Sequence, residues 1–284
     1  MIAAYVSLTK PRIIVLLLLT TLAAMYVADP RSSWSLVFFT MVGGYLAAGG
    51  ANAINQYVDR DIDELMSRTR HRSLPSGRIK PQQALVFGLV LSVLSFVVYT
   101  TFVNLLSAVL ALSGILCYVF VYTLSLKRST PQNIVIGGAA GAIPPVVGWA
   151  AATGTVELPA LYLFAIIFFW TPPHFWALAL LMQDEYKAAN IPMLPVVAGE
   201  RETVWQILLY TIVLIAVTLL PATVRVMGLV YLISAALLGA GFLFFAWQLF
   251  RAPSRRKARQ TFAYSMAYLA LLFLAMVADR ALLS

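Results

Sequence analysis

Nine stretches of this 284-residue chain are apolar for long enough to cross a bilayer, which leaves almost no soluble fold open to it. A span needs roughly 17 to 25 apolar residues in a helix, because the hydrocarbon core is about 30 Å thick and offers no partner to an unpaired peptide group. The stretches run at about 11–29, 34–58, 82–102, 105–124, 134–153, 157–182, 204–224, 227–250 and 262–282. None alternates like a barrel strand. With 61% of residues hydrophobic and 11% charged, there is too little polar surface to cover a soluble core. The expected fold class is all-α, a polytopic membrane protein of nine transmembrane helices in the lipid bilayer. Positive residues precede the first apolar stretch, as in a secretory signal, but eight further spans follow it. An uncleaved first helix is therefore expected.

A net charge of +9 would suit nucleic acid, so the placement of the basic residues decides its meaning. If the N-terminus is cytoplasmic, 17 of the 20 Lys and Arg fall in loops on that side, and only Arg31, Arg225 and Arg280 lie opposite. That bias is the positive-inside pattern of short loops. It predicts a cell (inner) membrane protein with a cytoplasmic N-terminus, a C-terminus on the opposite side and no nucleic-acid partner. Eight of the 11 acidic residues share the cytoplasmic side; acids have little influence on orientation, so they need another reason. The single cysteine, Cys117, falls inside a span and reads as a small buried side chain.

No linker divides the chain, so residues 1–284 are expected to form one integral-membrane domain. A weak internal likeness runs through it. After span 2 comes an acidic cluster, then Leu74-Pro75 and Gly77; after span 6 comes Asp184-Glu185, then Leu194-Pro195 and Gly199. The pattern predicts a pseudo-repeat of spans 1–4 and 5–8 plus a ninth helix, with both loops at one end of the bundle.

The second span ends in NQYVDRDID. On a helix, Asn55, Asp59 and Asp63 share one face and rise about 12 Å along it, from within the membrane to its edge, whereas Asp61 points away. An amide and two carboxylates on one face suit a hard cation such as Mg²⁺ that shares its coordination with phosphate oxygens. No His or Cys joins the stripe, which disfavours zinc. A helix end that merely meets solvent is the bland alternative, but polar groups at the depth of Asn55 are costly and mark function by default. Arg68, Arg70 and Arg72, with Lys127 and Arg128 from the next cytoplasmic loop, are candidate diphosphate contacts, since guanidinium forks match phosphate oxygens. Taken singly, each is an ordinary positive-inside residue. Together they point to a lipid diphosphate with its head at the surface and its tail between helices. Its diphosphate would leave with metal and arginine stabilising the charge, and aromatic side chains would shield an allylic cation from water.

At this point the residues resemble a known family. NQYVDRDID fits the N-x-x-x-D-x-x-x-D signature of the intramembrane prenyltransferases of the UbiA type, whose architecture is nine spans. LTKPRI at 8–13, ANAINQYVDRDIDELMSRTRHRSLPSGRI at 51–79, YTLSLKRSTPQNIVIGGAAGAIPPVVGW at 122–149, TPPHFWALAL at 171–180 and IPMLPVV at 191–197 are similar to the protoheme IX farnesyltransferase (heme O synthase) branch. The likeness runs from Thr9 to about Gly199, and the last three spans carry no motif. It implies that farnesyl diphosphate alkylates a vinyl group of heme B, and that water completes the side chain of heme O. The product would feed heme-copper terminal oxidases, with a heme A synthase or oxidase assembly downstream. It further implies Mg²⁺ as cofactor and Asn55, Asp59 and Asp63 as the first metal-diphosphate motif.

The second motif departs from the family pattern. A D-x-x-x-D is expected near the end of span 6, but Ala188 stands where the second aspartate would fall, and Glu185 precedes Tyr186 where Asp is usual. Either Asp184 or Glu185 is expected to reach the metal. His174, in TPPHFW at mid-span, is a candidate iron or propionate contact beside prolines that predict a broken helix; the ordinary alternative is a buried neutral histidine. His71, among the loop arginines, reads as solvated. Rival readings are a UbiA-type enzyme with an aromatic or lipid acceptor and a secondary transporter, the latter disfavoured because the charges gather at one membrane face.

Overall fold

The computed structural model describes residues 1–283. Its helices are α1 (Ile2–Thr9), α2 (Pro11–Ala28), α3 (Trp34–Val58), α4 (Arg60–Leu65), α5 (Pro81–Phe102) and α6 (Leu105–Leu116), which continues as a π-helix (Cys117–Leu126). Then follow α7 (Asn133–Thr153), α8 (Leu158–Leu181), α9 (Gln183–Ala188), α10 (Leu194–Val197), α11 (Gly199–Thr223), α12 (Leu229–Arg251) and α13 (Arg255–Leu283). No strand occurs among the described residues, and nine helices are long and apolar enough to span a membrane: α2, α3, α5, α6 with its π-helix, α7, α8, α11, α12 and α13.

Two spans start earlier than their hydropathy predicts, at Gly199 instead of 204 and Arg255 instead of 262. Apolarity marks the hydrocarbon edge, but the helical backbone runs on into the headgroup layer, where charges are solvated. Glu200 and Glu202 even favour the first turn of α11, because they face its positive dipole end.

Consecutive spans pack side by side, and α13 returns to α2, so the nine close into a ring. Contacts of α2 with α7 and of α8 with α13 cross that ring. The largest apolar cluster packs α2, α7 and α8 with α11, α12 and α13, and includes Trp149, Trp170, Tyr231, Phe242, Tyr268 and Phe273. A second cluster lies under the polar end, where Ile62 and Met66 of the α4 segment pack with Met182 and Tyr186 beside α9. That packing joins the two acidic loops. Prolines 172 and 173 do not break α8, contrary to the sequence expectation, and the helix runs unbroken from Leu158 to Leu181. The lost N–H groups are tolerated because α8 is the most enclosed span, held by α7, α11 and α13.

Close approach of α2 and α7 depends on Gly148, where an added Cβ would press on the backbone carbonyl of Thr21. Backbone cannot rotate away as a side chain can. Gly148→Ala is therefore expected to destabilise the protein by about 1–3 kcal/mol, read as a lowered thermal midpoint in detergent; an unchanged midpoint would mean the two helices can separate freely.

Candidate active site

The polar cluster begins where α3 gives out. Asp59 leaves the helical region (φ −85°, ψ 6°), and α4 restarts one residue later. The i→i−4 bonds survive on both sides of this break, from Asp59 N to Asn55 O (2.9 Å) and from Asp63 N to Asp59 O (2.8 Å). Asn55, Asp59 and Asp63 thus stay on one buried face, at 3%, 1% and 3% exposure. Asp61 turns outward.

Each member of the face meets a cation. The Lys127 ammonium pairs with Asp59 Oδ2, which also accepts from Asn55 Nδ2 at 2.7 Å. Arg72 clamps Asp63 with one guanidinium nitrogen, 2.9 and 2.8 Å from its two oxygens. The third cation is Lys10, whose Nζ donates to Asn55 Oδ1 at 2.9 Å. Sequence reasoning counted Lys10 only as a charge that orients the chain. It sits in the left-handed region (φ 55°, ψ 61°) between α1 and α2, with Pro11 opening the next helix. A non-glycine residue held there stores backbone strain of about 1–3 kcal/mol, which tends to collect at functional sites. Burial, aided by the nearby Arg72 and Lys127 charges and opposed by Asp63 and Asp59, pushes the Lys10 amine down to about 7. A lysine immediately before Pro at the mouth of the first span was the available signal.

The remaining candidates divide. Arg128 forks onto Asp61 (2.7 Å to each oxygen) and lies 3.9 Å from Asp59 Oδ1, so it stands at the margin of the face. Its hydrogen bonds hold the Asp61 carboxyl below, and the Asp61 partner holds its own guanidinium above, their ordinary ranges. Arg68, Arg70 and His71 are exposed. On the second loop Asp184 is exposed, whereas Glu185 turns inward, accepting from Ser67 Oγ at 2.6 Å. Its neighbour Tyr186 is buried, which raises its phenol. His174 is buried between Trp170 and Phe262, at ring separations of 4.2 and 4.8 Å, and its Nδ1 lies 2.7 Å from Ser265 Oγ.

Among the described residues no three acidic, His or Cys side chains converge tightly enough to form a metal cage on their own. Two buried carboxylate oxygens nevertheless lack a hydrogen-bond partner, Asp59 Oδ1 and Glu185 Oε2. An orphaned buried carboxylate oxygen is costly unless a cation or donor reaches it. An all-oxygen set of few ligands, beside several basic side chains, fits a Mg²⁺ that takes most of its coordination from water and phosphate rather than from a protein cage.

The UbiA prenyltransferase family matches residues 17–276. A protein from Chloroflexus aurantiacus named protoheme IX farnesyltransferase is 56% identical over 98% of this chain, and one of the same name from Trichodesmium erythraeum is 55% identical over 97%. The chain spans about half the length of the first (48%) and 85% of the second. Among solved structures, a digeranylgeranylglyceryl phosphate synthase aligns at TM-score 0.82 and 18% identity, covering 98% of both chains. A UbiA homolog from Archaeoglobus fulgidus, bound to DMAPP and Mg²⁺, aligns at TM-score 0.67 and 16% identity, covering 96% of this chain and 99% of its own.

Proposed function

Because the chain belongs to the UbiA prenyltransferase family, we propose that it transfers a farnesyl group from farnesyl diphosphate to a vinyl group of heme B, giving heme O. The observation that carries the reading is the buried face of Asn55, Asp59 and Asp63 ringed by Lys10, Arg72 and Lys127 at the polar end of an apolar bundle. The identity of the acceptor rests on the relatives' names.

Asn55 and Asp59, with Asp63 beside them and Glu185 from the second loop, would hold Mg²⁺. When bound it supplies Lewis-acid stabilisation of the charge that develops on the leaving diphosphate. Lys10, Arg72 and Lys127 share that task, because ammonium and guanidinium groups fixed in a dry site need no reorganisation as charge develops. As the farnesyl C1–O bond breaks, the electron pair stays on the diphosphate. The allylic cation is attacked by the vinyl π-bond of heme B; the resulting cation takes up water and loses a proton, which completes the hydroxyethylfarnesyl group. Residues of the bundle interior hold the chain away from water until the vinyl attacks.

His174 enters this reading through its Nε2 edge, since Nδ1 is engaged by Ser265 and both ring faces are covered. His174→Ala is expected to weaken heme binding about tenfold or more and to leave farnesyl diphosphate binding unchanged; equal effects on both would remove the heme role. The protein would lie in the cell membrane with its N-terminus cytoplasmic and its C-terminus opposite, and its product would pass to a heme A synthase or to heme-copper oxidase assembly.

The test is a competition. Purified protein with Mg²⁺ and farnesyl diphosphate is offered heme B and 4-hydroxybenzoate together, and the products are read by mass spectrometry. The reading predicts a farnesylated, hydrated heme; a prenylated benzoate alone would reassign the acceptor, and no adduct with either would overturn the enzyme.

A further inference from the structure

The fourth span changes register halfway. From Cys117 to Leu126 it is a π-helix, a form that is rare at any length and frequently found at functional sites. Two hydroxyls suit its wider turn: Thr123 Oγ donates to Tyr118 O and Ser125 Oγ to Phe120 O, each at 2.8 Å and five residues back. The segment closes with Lys127 N on Tyr122 O at 2.8 Å, again five residues back. Thr123 and Lys127 are four residues apart, and in this register they reach the two neighbouring members of the acidic face, Asn55 and Asp59.

Thr123 has no exposure at all, and its Oγ lies 3.2 Å from Asn55 Nδ2. A hydroxyl has one proton. Here that proton is committed to Tyr118 O, so toward Asn55 the oxygen acts as acceptor and binds the NH₂ side of the amide. Asp59 Oδ2, also an acceptor, takes the same NH₂ group at 2.7 Å. On the other side Lys10, which has only protons to give, donates to Asn55 Oδ1 at 2.9 Å. All three neighbours agree on one orientation of the amide.

We propose that Thr123 is a positioning residue that acts through Asn55: by occupying the amide NH₂ it keeps Oδ1, the only atom of that side chain able to ligate a hard cation, turned toward the diphosphate site. The π-register is what makes this contact and the Lys127 contact simultaneous. The proposal rests on the metal-diphosphate reading of Asn55 and Asp59. Partners that orient a ligand in this way contribute about 10–100-fold in metal affinity or activity.

The experiment titrates the purified full chain with Mn²⁺ at saturating farnesyl diphosphate, follows free Mn²⁺ by electron paramagnetic resonance, and corrects with a protein-free control. Thr123→Val keeps the shape and removes the acceptor, and should weaken Mn²⁺ binding by about 10–100-fold. Thr123→Ser restores the hydroxyl and should restore wild-type affinity, an outcome that a packing role of the methyl would not give. If Thr123→Val does not fold, Thr123→Ala serves in its place with the same expectation. Wild-type affinity in Thr123→Val or Thr123→Ala, alongside loss of binding in Asp59→Asn, would overturn the role of Thr123 and leave the metal reading standing. Unchanged affinity in Asp59→Asn would overturn both.

Discussion

Asp59→Asn should lower farnesyl transfer by at least ~10²-fold while the protein still folds. The side chain is 1% exposed, its Oδ2 is shared by Lys127 and Asn55, and its Oδ1 has no hydrogen-bond partner. Asparagine preserves the shape but removes the negative charge, and a neutral amide is a poor ligand for a divalent cation that must also hold a diphosphate. Stability should fall less far than activity. Removing one partner of a buried pair leaves the other charge uncompensated, but Lys127, at 14% side-chain exposure against 2% for Asp59, reaches water where the carboxylate cannot. The expected result is therefore a silent enzyme that still folds, with a lowered thermal midpoint. Turnover above about a tenth of wild type would take Asp59 out of the metal site, since single fixed electrostatic groups contribute more than that.

Lys127→Met should give a different signature. Methionine keeps most of the stem, so the packing of the loop survives, but Asp59 is left buried with only the more distant Arg128 guanidinium, 3.9 Å away, for a cation. Removing one partner of a buried pair costs about 3–5 kcal/mol, so the midpoint should fall in chelator. Added Mg²⁺ should recover part of that loss, because a ligand that binds only the folded state stabilises it. Turnover with farnesyl diphosphate should drop about 10²-fold in kcat/KM, with the KM for heme unmoved. A midpoint that Mg²⁺ does not move would separate Lys127 from the metal.

These two outcomes depend on features of unequal legibility. The spans were readable because a bilayer admits few backbone solutions, so apolar length nearly dictates a helix. Where each helix stops was less so, as α11 and α13 show: hydropathy senses the hydrocarbon edge, whereas the helix ends only where its backbone bonds do. The shared face of Asn55, Asp59 and Asp63 followed from helical spacing, although the break at Asp59 that separates α3 from α4 left no sign in the residues. The choice between Asp184 and Glu185 could not be made from spacing, because Met182 (φ −118°, ψ 19°) resets the helical phase between α8 and α9. Lys10 lies 45 residues from Asn55, and the packing of α1 and α2 against α3, which spacing does not report, brings it there. The pairing of Arg128 with Asp61, which helical spacing turns away from the oxygen face, is not legible from spacing within the second span, because Arg128 comes from the next cytoplasmic loop. The π-helix was invisible to hydropathy, which does not distinguish five-residue from four-residue bonding.

The central claim, that this oxygen face binds a divalent cation together with a prenyl diphosphate, is tested most directly by diffraction. Crystals grown with Mn²⁺ and a non-reacting thio-analogue of farnesyl diphosphate should show an anomalous manganese peak beside Asn55 Oδ1 and Asp59, bridged to the diphosphate, with the farnesyl chain running between the spans. A diphosphate bound elsewhere, or bound at this face with no manganese peak, would contradict the account.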